Sequence, residues 1–463
     1  MEQSKFPLLR ALESHVRRIR HRFHLPAGAQ PGWKKTKRCY RYELTELSGL
    51  DNLGQPEGPI REAQNRAANF FGAYRTFFLV NGSTGGIAAS LGALCSPGEK
   101  VVLPRNIHRS AVAGLILSGA DPQFVPVETL PAYGLPLNVA PAYLQKLANF
   151  QAAVITSPSY EGALPPLSEF RDIIRSRGAW FIVDEAHGGH LGCHSDFPPG
   201  AQEGGADLWI NSAHKTMGAL TPGGYLHVGN SHLDGNRLKF YLNMMQTSSP
   251  SYPVLASLEI PRQISRREWD RCWELAHQLR KKVESLSGFS CLSPQELPEN
   301  YKLDPLRVTI LLEKLSLDGY QVGELLRERY RIEVEMTADR YLVLTIQPGL
   351  RLASVKALGR ALKEISRDYS SRERWPSSPN LYQHIPPARM SPREAVGSAW
   401  QSIPWGEARG EIAASSVSLF PPGIPLLFPG EEVTAEGLEE IERAVQAGRI
   451  QGLNQGQIPI VDR

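Results

Sequence analysis

Two stretches of the sequence decide the fold, Phe181-Ile182-Val183-Asp184-Glu185-Ala186-His187-Gly188 and Ser212-Ala213-His214-Lys215-Thr216. The first begins as a short apolar strand and ends on acidic residues, and the second follows another apolar strand, Leu208–Ile210. Continuous apolar runs of this length are typical of strands buried on both faces of a parallel sheet. Ligands bind at the carboxyl ends of such strands, so we expect the polar residues just after each strand to form a site.

The alternation of strands and helices continues on both sides of these stretches. We predict strands over Arg75–Val80, Lys100–Leu103, Gln123–Val125, Ala152–Thr156, Trp180–Val183 and Leu208–Ile210. Helices are predicted between them over Gly58–Phe71, Gly85–Cys95, Arg109–Ser118 and Pro166–Ser176. This order predicts an α/β fold, a mostly parallel sheet sandwiched by helices.

A change of pattern after about residue 290 predicts further units. Arg307–Leu312, Asp318–Tyr330, Ile332–Met336, Tyr341–Ile346 and Ser354–Ile365 read as a smaller α+β domain, and a last helix is predicted over Thr434–Gly448. We therefore divide the chain into an N-terminal arm (1–57), a large domain (58–290), a small α+β domain (291–369) and a linker with a C-terminal segment (370–463). The arm is basic, with ten Lys or Arg against two acids in residues 1–38, and is expected to pack on the domain or on a partner subunit.

Composition limits the class of protein. The 463 residues carry 51 Lys and Arg against 47 Asp and Glu, a net charge of +4, which argues against a protein that wraps nucleic acid. The five cysteines are scattered and form no CxxC pair, so we expect reduced thiols. No apolar run is long enough to span a membrane and no secretory signal is recognisable, so a soluble cytoplasmic protein is expected.

Lys215 and Asp184 are the candidates for covalent chemistry. A lysine just beyond a buried strand can lie in a desolvated site where the pKa of its amine falls, as a Schiff-base lysine requires. An acid at the end of a buried strand is costly unless it is paired. The protonated pyridine nitrogen of pyridoxal phosphate is a natural partner for Asp184 and would keep the ring an electron sink.

Two further turns carry polar groups after predicted strands. Asn81-Gly82-Ser83-Thr84-Gly85-Gly86 runs from a strand into a helix, so backbone amides and two hydroxyls can approach a phosphate at the positive end of that helix. His108, in Arg105-Asn106-Ile107-His108-Arg109-Ser110, could lie flat on a cofactor ring or cap the next helix.

Together these pieces, in this order, resemble the fold-type-I pyridoxal-phosphate enzymes, and in finer wording the Orn/Lys/Arg decarboxylase family in its short form. The phrases that carry the resemblance span about residues 20–431 and read RFHLP (22–26), TELSGLDNLGQPEGPI (45–60), AANFFGA (67–73), VNGSTGG (80–86), RNIHRS (105–110), TSPSYEG (156–162), VDEAHGGH (183–190), SAHKT (212–216), QTSSPSYPVLASLE (246–259) and PPGIPLLFPGE (421–431).

The resemblance implies a role for each matching residue. Lys215 would form the Schiff base, Asp184 would pair with the pyridine nitrogen, His187 would neighbour the ring hydroxyl and His108 would stack on the ring. Phosphate contacts are implied for Ser83, Thr84, Ser212 and His214, and Ser157 is a candidate for the ring hydroxyl. Thr247 or Ser248 would reach the phosphate of the other subunit's cofactor, which implies a homodimer or a higher homo-oligomer.

The implied reaction is pyridoxal-phosphate-dependent decarboxylation of a basic amino acid, arginine first and then lysine or ornithine, to an amine of the polyamine pathway. A cationic side chain needs an acidic counter-group, and the candidates are Glu46, Asp51, Glu161 and Glu431.

Three other readings compete with this one. Asp184, His187, His190 and His194 would form a zinc site if one helix carried the histidines, although Gly188, Gly189 and Gly192 argue against that helix. An aminotransferase, or a lyase acting at Cβ, shares the same lysine and aspartate. A non-catalytic homologue that binds the cofactor is the third, and the presence of Lys215 counts against it.

Overall fold

The computed structural model of the chain describes residues 6–18, 39–371, 382–420 and 423–462. The RFHLP motif and part of the basic arm, residues 372–381 of the predicted linker, and Pro421 and Pro422 therefore lie outside the described residues. The described helices are α1 (Pro7–Arg18), α2 (Pro59–Phe71), α3 (Gly82–Leu94), α4 (Ser110–Ser118), α5 (Pro141–Gln145), α6 (Leu167–Arg175), α7 (Ala213–Thr216), α8 (Gly235–Met245), α9 (Tyr252–Ser257), α10 (Arg266–Glu284), α11 (Gly319–Tyr330), α12 (Leu352–Asp368), α13 (Pro392–Gly397) and α14 (Ala435–Gln446). None of them combines the length and the apolar character needed to cross a membrane.

The described strands form one large sheet and several small ones. They are β1 (Arg75–Leu79), β2 (Lys100–Pro104), β3 (Asp121–Val125), β4 (Thr129–Leu130), β5 (Leu135–Pro136), β6 (Ala152–Thr156), β7 (Ala163–Leu164), β8 (Trp180–Asp184), β9 (Leu208–Asn211), β10 (Gly224–Val228), β11 (Phe289–Cys291), β12 (Lys302–Leu303), β13 (Arg307–Leu312), β14 (Met336–Thr337), β15 (Tyr341–Thr345), β16 (Trp400–Pro404), β17 (Val417–Leu419), β18 (Ile424–Leu427), β19 (Ile450–Gln451) and β20 (Gln457–Val461). Short 3₁₀ turns occupy Cys39–Tyr42, Leu191–Cys193, Pro261–Gln263, Pro294–Glu296 and Trp405–Glu407.

The large sheet has seven strands in the order β1-β10-β9-β8-β6-β2-β3. The run from β9 to β3 is parallel, and only β10 pairs antiparallel with its neighbours. Successive strand residues point to opposite faces, so Ile182 packs in one helix-covered core while Phe181 and Val183 pack in the other. The predicted α/β class, with a mostly parallel sheet between helices, is confirmed.

The second sheet, β11-β13-β15-β14, packs against α10, α11 and α12 in a separate core. The predicted strand over Arg307–Leu312 is confirmed as β13. Because α10 packs in this second core, we propose that the boundary between the large and small domains falls before residue 266 instead of at 290.

The C-terminal segment is fixed to the large sheet by a buried ion pair. Arg105 follows β2 and donates to both carboxylate oxygens of Glu431, at 2.6 and 3.1 Å, and also to the carbonyl oxygen of Leu426. Both side chains of the ion pair are buried. This pairing places the carboxylate of Glu431, a candidate for substrate recognition, against the protein's own guanidinium.

A glycine allows α3 to lie close to the sheet below it. A Cβ on Gly86 would stand 2.8 Å from Cδ1 of Leu79 and 3.0 Å from Cγ2 of Ile210, near the carboxyl ends of β1 and β9. Contacts this short force neighbouring side chains to shift. Gly86 therefore sets the depth at which the amino end of α3 sits over the sheet.

We expect Gly86→Ala to lower the free energy of unfolding by about 1–3 kcal/mol, because the added methyl group overpacks this contact. Gly437→Ala in α14 is the matched control, since a Cβ there meets atoms only at 3.4 Å or more. Its alanine should be neutral or slightly stabilising. Denaturant unfolding followed by far-UV circular dichroism measures both, and equal midpoints for the two variants would contradict the close approach of α3.

Candidate active site

The carboxyl ends of β1, β2, β6, β8 and β9 meet at one edge of the large sheet and open into a cavity of about 270 Å³. Nine residues named from the sequence lie in its wall: Ser83, Thr84, His108, Glu161, Asp184, His187, Ser212, His214 and Lys215. Sequence reasoning did not single out the other lining residues, which are Asn81, Gly82, Asn106, Thr156, Tyr160, Ala186, Pro222 and Ile424. The parallel topology thus brings together side chains that lie far apart in the chain.

Lys215 stands at the end of a chain of hydrogen bonds. Its Nζ lies 2.9 Å from Nε2 of His187, and Nδ1 of the same ring lies 2.8 Å from a guanidinium nitrogen of Arg307. A guanidinium can only donate, so Nδ1 of His187 accepts and Nε2 carries the ring proton. Nε2–H then donates to Lys215, whose amine must supply a lone pair. The arrangement holds Lys215 as a neutral amine, the nucleophilic form.

The electrostatics of the cavity act in the same direction. Burial lowers the pKa of Lys215, with Arg307 adding to that effect while Asp184 and Glu335 oppose it. Burial also lowers the pKa of His187 well below its usual range, and the positive charge of Arg307 reinforces this. A neutral imidazole is what the hydrogen-bond directions require.

Asp184 is a buried carboxylate at the end of β8, 4 % exposed. One oxygen accepts a hydrogen bond from the backbone amide of Ala186 at 3.1 Å. Burial raises the pKa of Asp184, and Lys215 would oppose that rise only in its protonated form. With Lys215 held neutral, a cationic group in the cavity would stabilise the ionised carboxylate.

The amino end of α3 forms another wall of the cavity. The helix begins at Gly82, earlier than the predicted Gly85, so Ser83 and Thr84 lie in its first turn. Gly82 has a φ of +72°, and the hydroxyl of Ser83 lies 2.9 Å from that of Ser212. Unpaired backbone amides and hydroxyls at a helix amino end fit an anionic phosphate.

His108 presents a neutral, fixed ring to the same cavity. Its Nδ1 accepts from the backbone amide of Ser110 at 3.1 Å, and burial lowers its pKa to about 4. Gly423 of the C-terminal segment, at a φ of +104°, passes so close that a Cβ there would stand 3.1 Å from Nε2. A neutral imidazole in this wall suits stacking on a flat aromatic group. The close approach of the backbone to His108 and the positive φ explain why a glycine occupies position 423 in the PPGIP phrase.

These groups fit pyridoxal phosphate. The cavity offers a neutral lysine, a buried carboxylate without a fixed cation, a helix amino end with hydroxyls and a flat imidazole. The hydroxyl of Thr156 in the cavity wall is buried and has no hydrogen-bond partner in the described part of the chain. The hydroxyl of Ser157, a candidate for the ring hydroxyl, is likewise buried and unpartnered there, although Ser157 is not part of the wall.

Several other candidates lie away from this cavity. The carboxylate of Asp51 accepts from backbone amides at the start of α2, including those of Gly58 and Ile60. Thr247 is exposed and lies with Glu46 around a separate surface cavity. Of the four acidic candidates for substrate recognition, Glu161 is the one in the wall of the cavity at the sheet edge.

The three histidines of the metal-site reading have separate partners. Nε2 of His190 pairs with Asp304, Nε2 of His194 pairs with Asp270, and His187 faces Lys215. A 3₁₀ turn over Leu191–Cys193 stands in place of the single helix that the reading needed. Among residues with described placement, no group of three metal-ligating side chains converges.

Arg307 is the functional residue that sequence reasoning missed. It begins the strand Arg-Val-Thr-Ile-Leu-Leu, where one charged residue before an apolar run reads as a solvent-facing strand end. The structure leaves it only 2 % exposed, with Nη1 on the hydroxyl of Thr345 and Nη2 on His187. A charged residue at the start of a fully apolar strand was the available signal.

Comparisons with known proteins identify the family of the chain and its fold. The family model described as Orn/Lys/Arg decarboxylase, major domain, matches residues 6–352, and the model of the family's C-terminal domain matches residues 377–443. The arginine decarboxylase of Bacillus subtilis is 33 % identical over 97 % of this chain and 95 % of its own length. That of Bacillus anthracis is 31 % identical over 97 % and 94 %. In fold, the crystal structure of the Francisella novicida lysine decarboxylase LdcF covers 99 % of this chain and 81 % of its own, with a TM-score of 0.82 at 17 % identity.

We expect Arg307→Met to raise the pKa of Lys215, because it removes a positive charge that lowers this pKa. The rate at which the apoprotein captures pyridoxal phosphate depends on the neutral amine. Its pH profile, followed by the absorbance of the cofactor, should therefore move to higher pH. Arg307→Lys keeps the charge and should hold the profile near that of the wild type. An unshifted profile in the Met variant would contradict the role of Arg307.

Proposed function

The chain belongs to the Orn/Lys/Arg decarboxylase family, and from this premise we propose that it is a pyridoxal-phosphate-dependent decarboxylase of a basic amino acid, with arginine the favoured substrate. Arginine comes first because relatives that are 33 % and 31 % identical to this chain are named arginine decarboxylases. Lysine and ornithine follow. The amine product would enter polyamine synthesis.

The observation that carries the proposal is the hydrogen-bond chain from Arg307 through His187 to Lys215. It supports a neutral lysine amine in a buried cavity, beside a carboxylate that lacks a fixed cation. An amine in this form would be nucleophilic without first losing a proton, which is what bonding to the cofactor's carbonyl carbon would require. Neither a structural lysine nor a surface lysine needs these partners.

When bound, pyridoxal phosphate supplies a cationic ring that accepts the electron pair left on Cα as carbon dioxide departs. Asp184 would keep the ring nitrogen protonated, because a positive partner would stabilise its buried carboxylate. Ser83, Thr84, Ser212 and His214 would hold the phosphate, and His108 would pack on the ring. Nε2 of His187 lies 2.9 Å from Nζ of Lys215, so a proton could move between these two atoms within the site.

Two further parts of the proposal concern the oligomeric state and the cellular compartment. We propose a homodimer in which Thr247 or Ser248 contacts the cofactor phosphate of the other subunit. Both side chains are exposed, and Phe240 and Met244 on the preceding helix α8 expose apolar surface nearby in the sequence. A cytoplasmic location is supported by the free thiols of Cys95, Cys193, Cys272 and Cys291.

Asp184→Asn tests the proposed electrostatic role. The variant removes the charge that keeps the ring nitrogen protonated, so we expect kcat to fall by about 100-fold or more while cofactor absorbance persists. Asp207→Asn is the matched control: Asp207 is a buried carboxylate that accepts from the amide of Phe181 on the same strand as Asp184, outside the cavity wall. Wild-type turnover in Asp184→Asn would refute the assignment.

The substrate class is tested by incubating purified protein and pyridoxal phosphate with arginine, lysine and ornithine in parallel. We expect carbon dioxide release with agmatine as the fastest-formed amine, identified by mass spectrometry. Faster release from lysine would keep the reaction and change the substrate. No carbon dioxide from any of the three would refute decarboxylation of basic amino acids.

A further inference from the structure

A second cavity adjoins the one that contains Lys215. It has a volume of about 350 Å³, and its wall shares Glu161 and Ile424 with the first cavity. Four tyrosines line it together with acidic and basic side chains, and the ones that matter here are Tyr320, Tyr341, Glu161, Glu440 and Arg449. A large aromatic space therefore lies directly beside the reacting end of the site.

Glu161, at the boundary of the two cavities, is held rigidly by the small domain. The hydroxyl of Thr309 on β13 donates to its backbone carbonyl at 2.8 Å, and the hydroxyl of Tyr341 on β15 donates to Oε1 at 3.1 Å. The residue follows the turn after β6, where Gly162 at a φ of +102° packs against Arg307. The position of this carboxylate is therefore fixed relative to the Arg307–His187–Lys215 chain.

The other carboxylate oxygen of Glu161 lacks a partner. Oε2 is buried and has no partner at ordinary hydrogen-bond geometry within the described ranges, and the whole residue is 3 % exposed. The backbone amide of Glu161, the hydroxyl of Ser159 and the charge of Arg307 nevertheless act on the carboxylate and lower its pKa against the effect of burial. An unpaired buried carboxylate oxygen is costly and is retained where a ligand completes its bonding. Burial raises the pKa of Glu161 to about 7, so a cation placed beside it would favour the ionised form.

The surroundings of Glu161 suit a ligand that carries a cationic group at the end of a long side chain. The guanidinium of Arg449 is already engaged, donating to the hydroxyl of Tyr320 at 2.8 Å and lying 5.2 Å above its ring. Tyrosine faces attract planar cations, and a carboxylate with a free oxygen binds a guanidinium through charge-assisted hydrogen bonds. Both Lys215 and Glu161 line the first cavity. A single ligand with an α-amine near Lys215 and a side-chain cation near Glu161 would span it.

We propose that Glu161 is the specificity residue of the site: its free Oε2 receives the cationic end of the substrate's side chain at the mouth of the second cavity. This inference rests on the proposed function and deepens it. The substrate class is α-amino acids with a long side chain that ends in a cation, and the tyrosine-lined second cavity gives a guanidinium the room that it needs. Of the four acidic residues that the sequence offers as counter-groups, the proposal assigns this role to Glu161.

Glu161→Gln tests the proposal with little change of shape, because the amide oxygen can still accept from Tyr341. Kinetics of the holoenzyme are measured with arginine and with citrulline, which replaces the guanidinium by an uncharged group of the same shape. We expect the KM for arginine to rise about tenfold or more, kcat to change less, and the preference for arginine over citrulline to fall by a similar factor. An unchanged preference would overturn the proposal.

Two further variants separate the charge at Glu161 from buried charge in general. Glu259→Gln removes a carboxylate that is fully buried against backbone amides of α1 and lies outside both cavity walls, and it should leave the KM for arginine unchanged. Glu440→Gln alters the second cavity alone. A loss of arginine preference in Glu440→Gln and not in Glu161→Gln would overturn the assignment to Glu161. Should the Gln variant fail to fold, Glu161→Asp, which withdraws the charge, should raise the same KM.

Binding of n-butylguanidinium separates this inference from the proposed function, since this probe has neither an α-amine nor a carboxylate. Calorimetric titration of the holoenzyme should show binding that weakens about tenfold or more in Glu161→Gln. If arginine releases no carbon dioxide but this binding depends on Glu161, the decarboxylase proposal falls and the cation subsite stands. If arginine is decarboxylated but the probe binds both proteins equally, the subsite falls and the decarboxylase stands.

Discussion

The hydrogen bond from Arg307 to His187 is the interaction on which the site depends. Because a guanidinium cannot accept, it fixes the proton of the imidazole on Nε2 and makes Lys215 an acceptor. A buried amine could otherwise hold its proton by pairing with Asp184, and the site would contain an inert ion pair. The position of one arginine therefore decides which of two protonation states the lysine adopts.

This constraint links the two sheets. Arg307 begins β13 in the second sheet, whereas His187 and Lys215 follow β8 and β9 in the first. The link is reinforced close by, where Nε2 of His190 pairs with Asp304 at 2.9 Å and the amide of Asp304 donates to the carbonyl of Gly162. A displacement between the two domains would therefore break the hydrogen bond from Arg307 to His187 and change the protonation of Lys215. In this way the small domain contributes to the state of the amine.

The sequence predicted what depends on local pattern and missed what depends on distant partners. The strand over Ala152–Thr156 was placed correctly because a continuous apolar run has one reading in an α/β chain. β10 was missed because Gly224 follows a proline-glycine turn and His227 interrupts the apolar run. Inside the fold that histidine is satisfied by Thr76 and Asn211, and burial lowers its pKa to about 3, so it behaves as a neutral core residue.

The same reasoning separates the acidic residues of the site. Glu431 was a sound candidate by motif, but its partner Arg105 lies far away in the sequence and only the fold brings the two together. The turn before β7 placed Glu161 near the site by sequence, yet its free oxygen is visible only in three dimensions.

Burial alone does not mark function, because it raises the pKa of Glu161, Glu185 and Glu259 alike to about 7. Both oxygens of Glu185 are engaged, by the amide of Ala201 and the side chain of Asn211, and Glu259 accepts from the amides of Leu8 and Leu9. These two carboxylates therefore have their partners inside the protein and serve the fold. Glu161 has an oxygen to spare in a cavity wall, and such an incomplete bonding shell is what a ligand can complete. The unsatisfied atom, taken together with the cavity, is what distinguishes a binding residue from a structural one here.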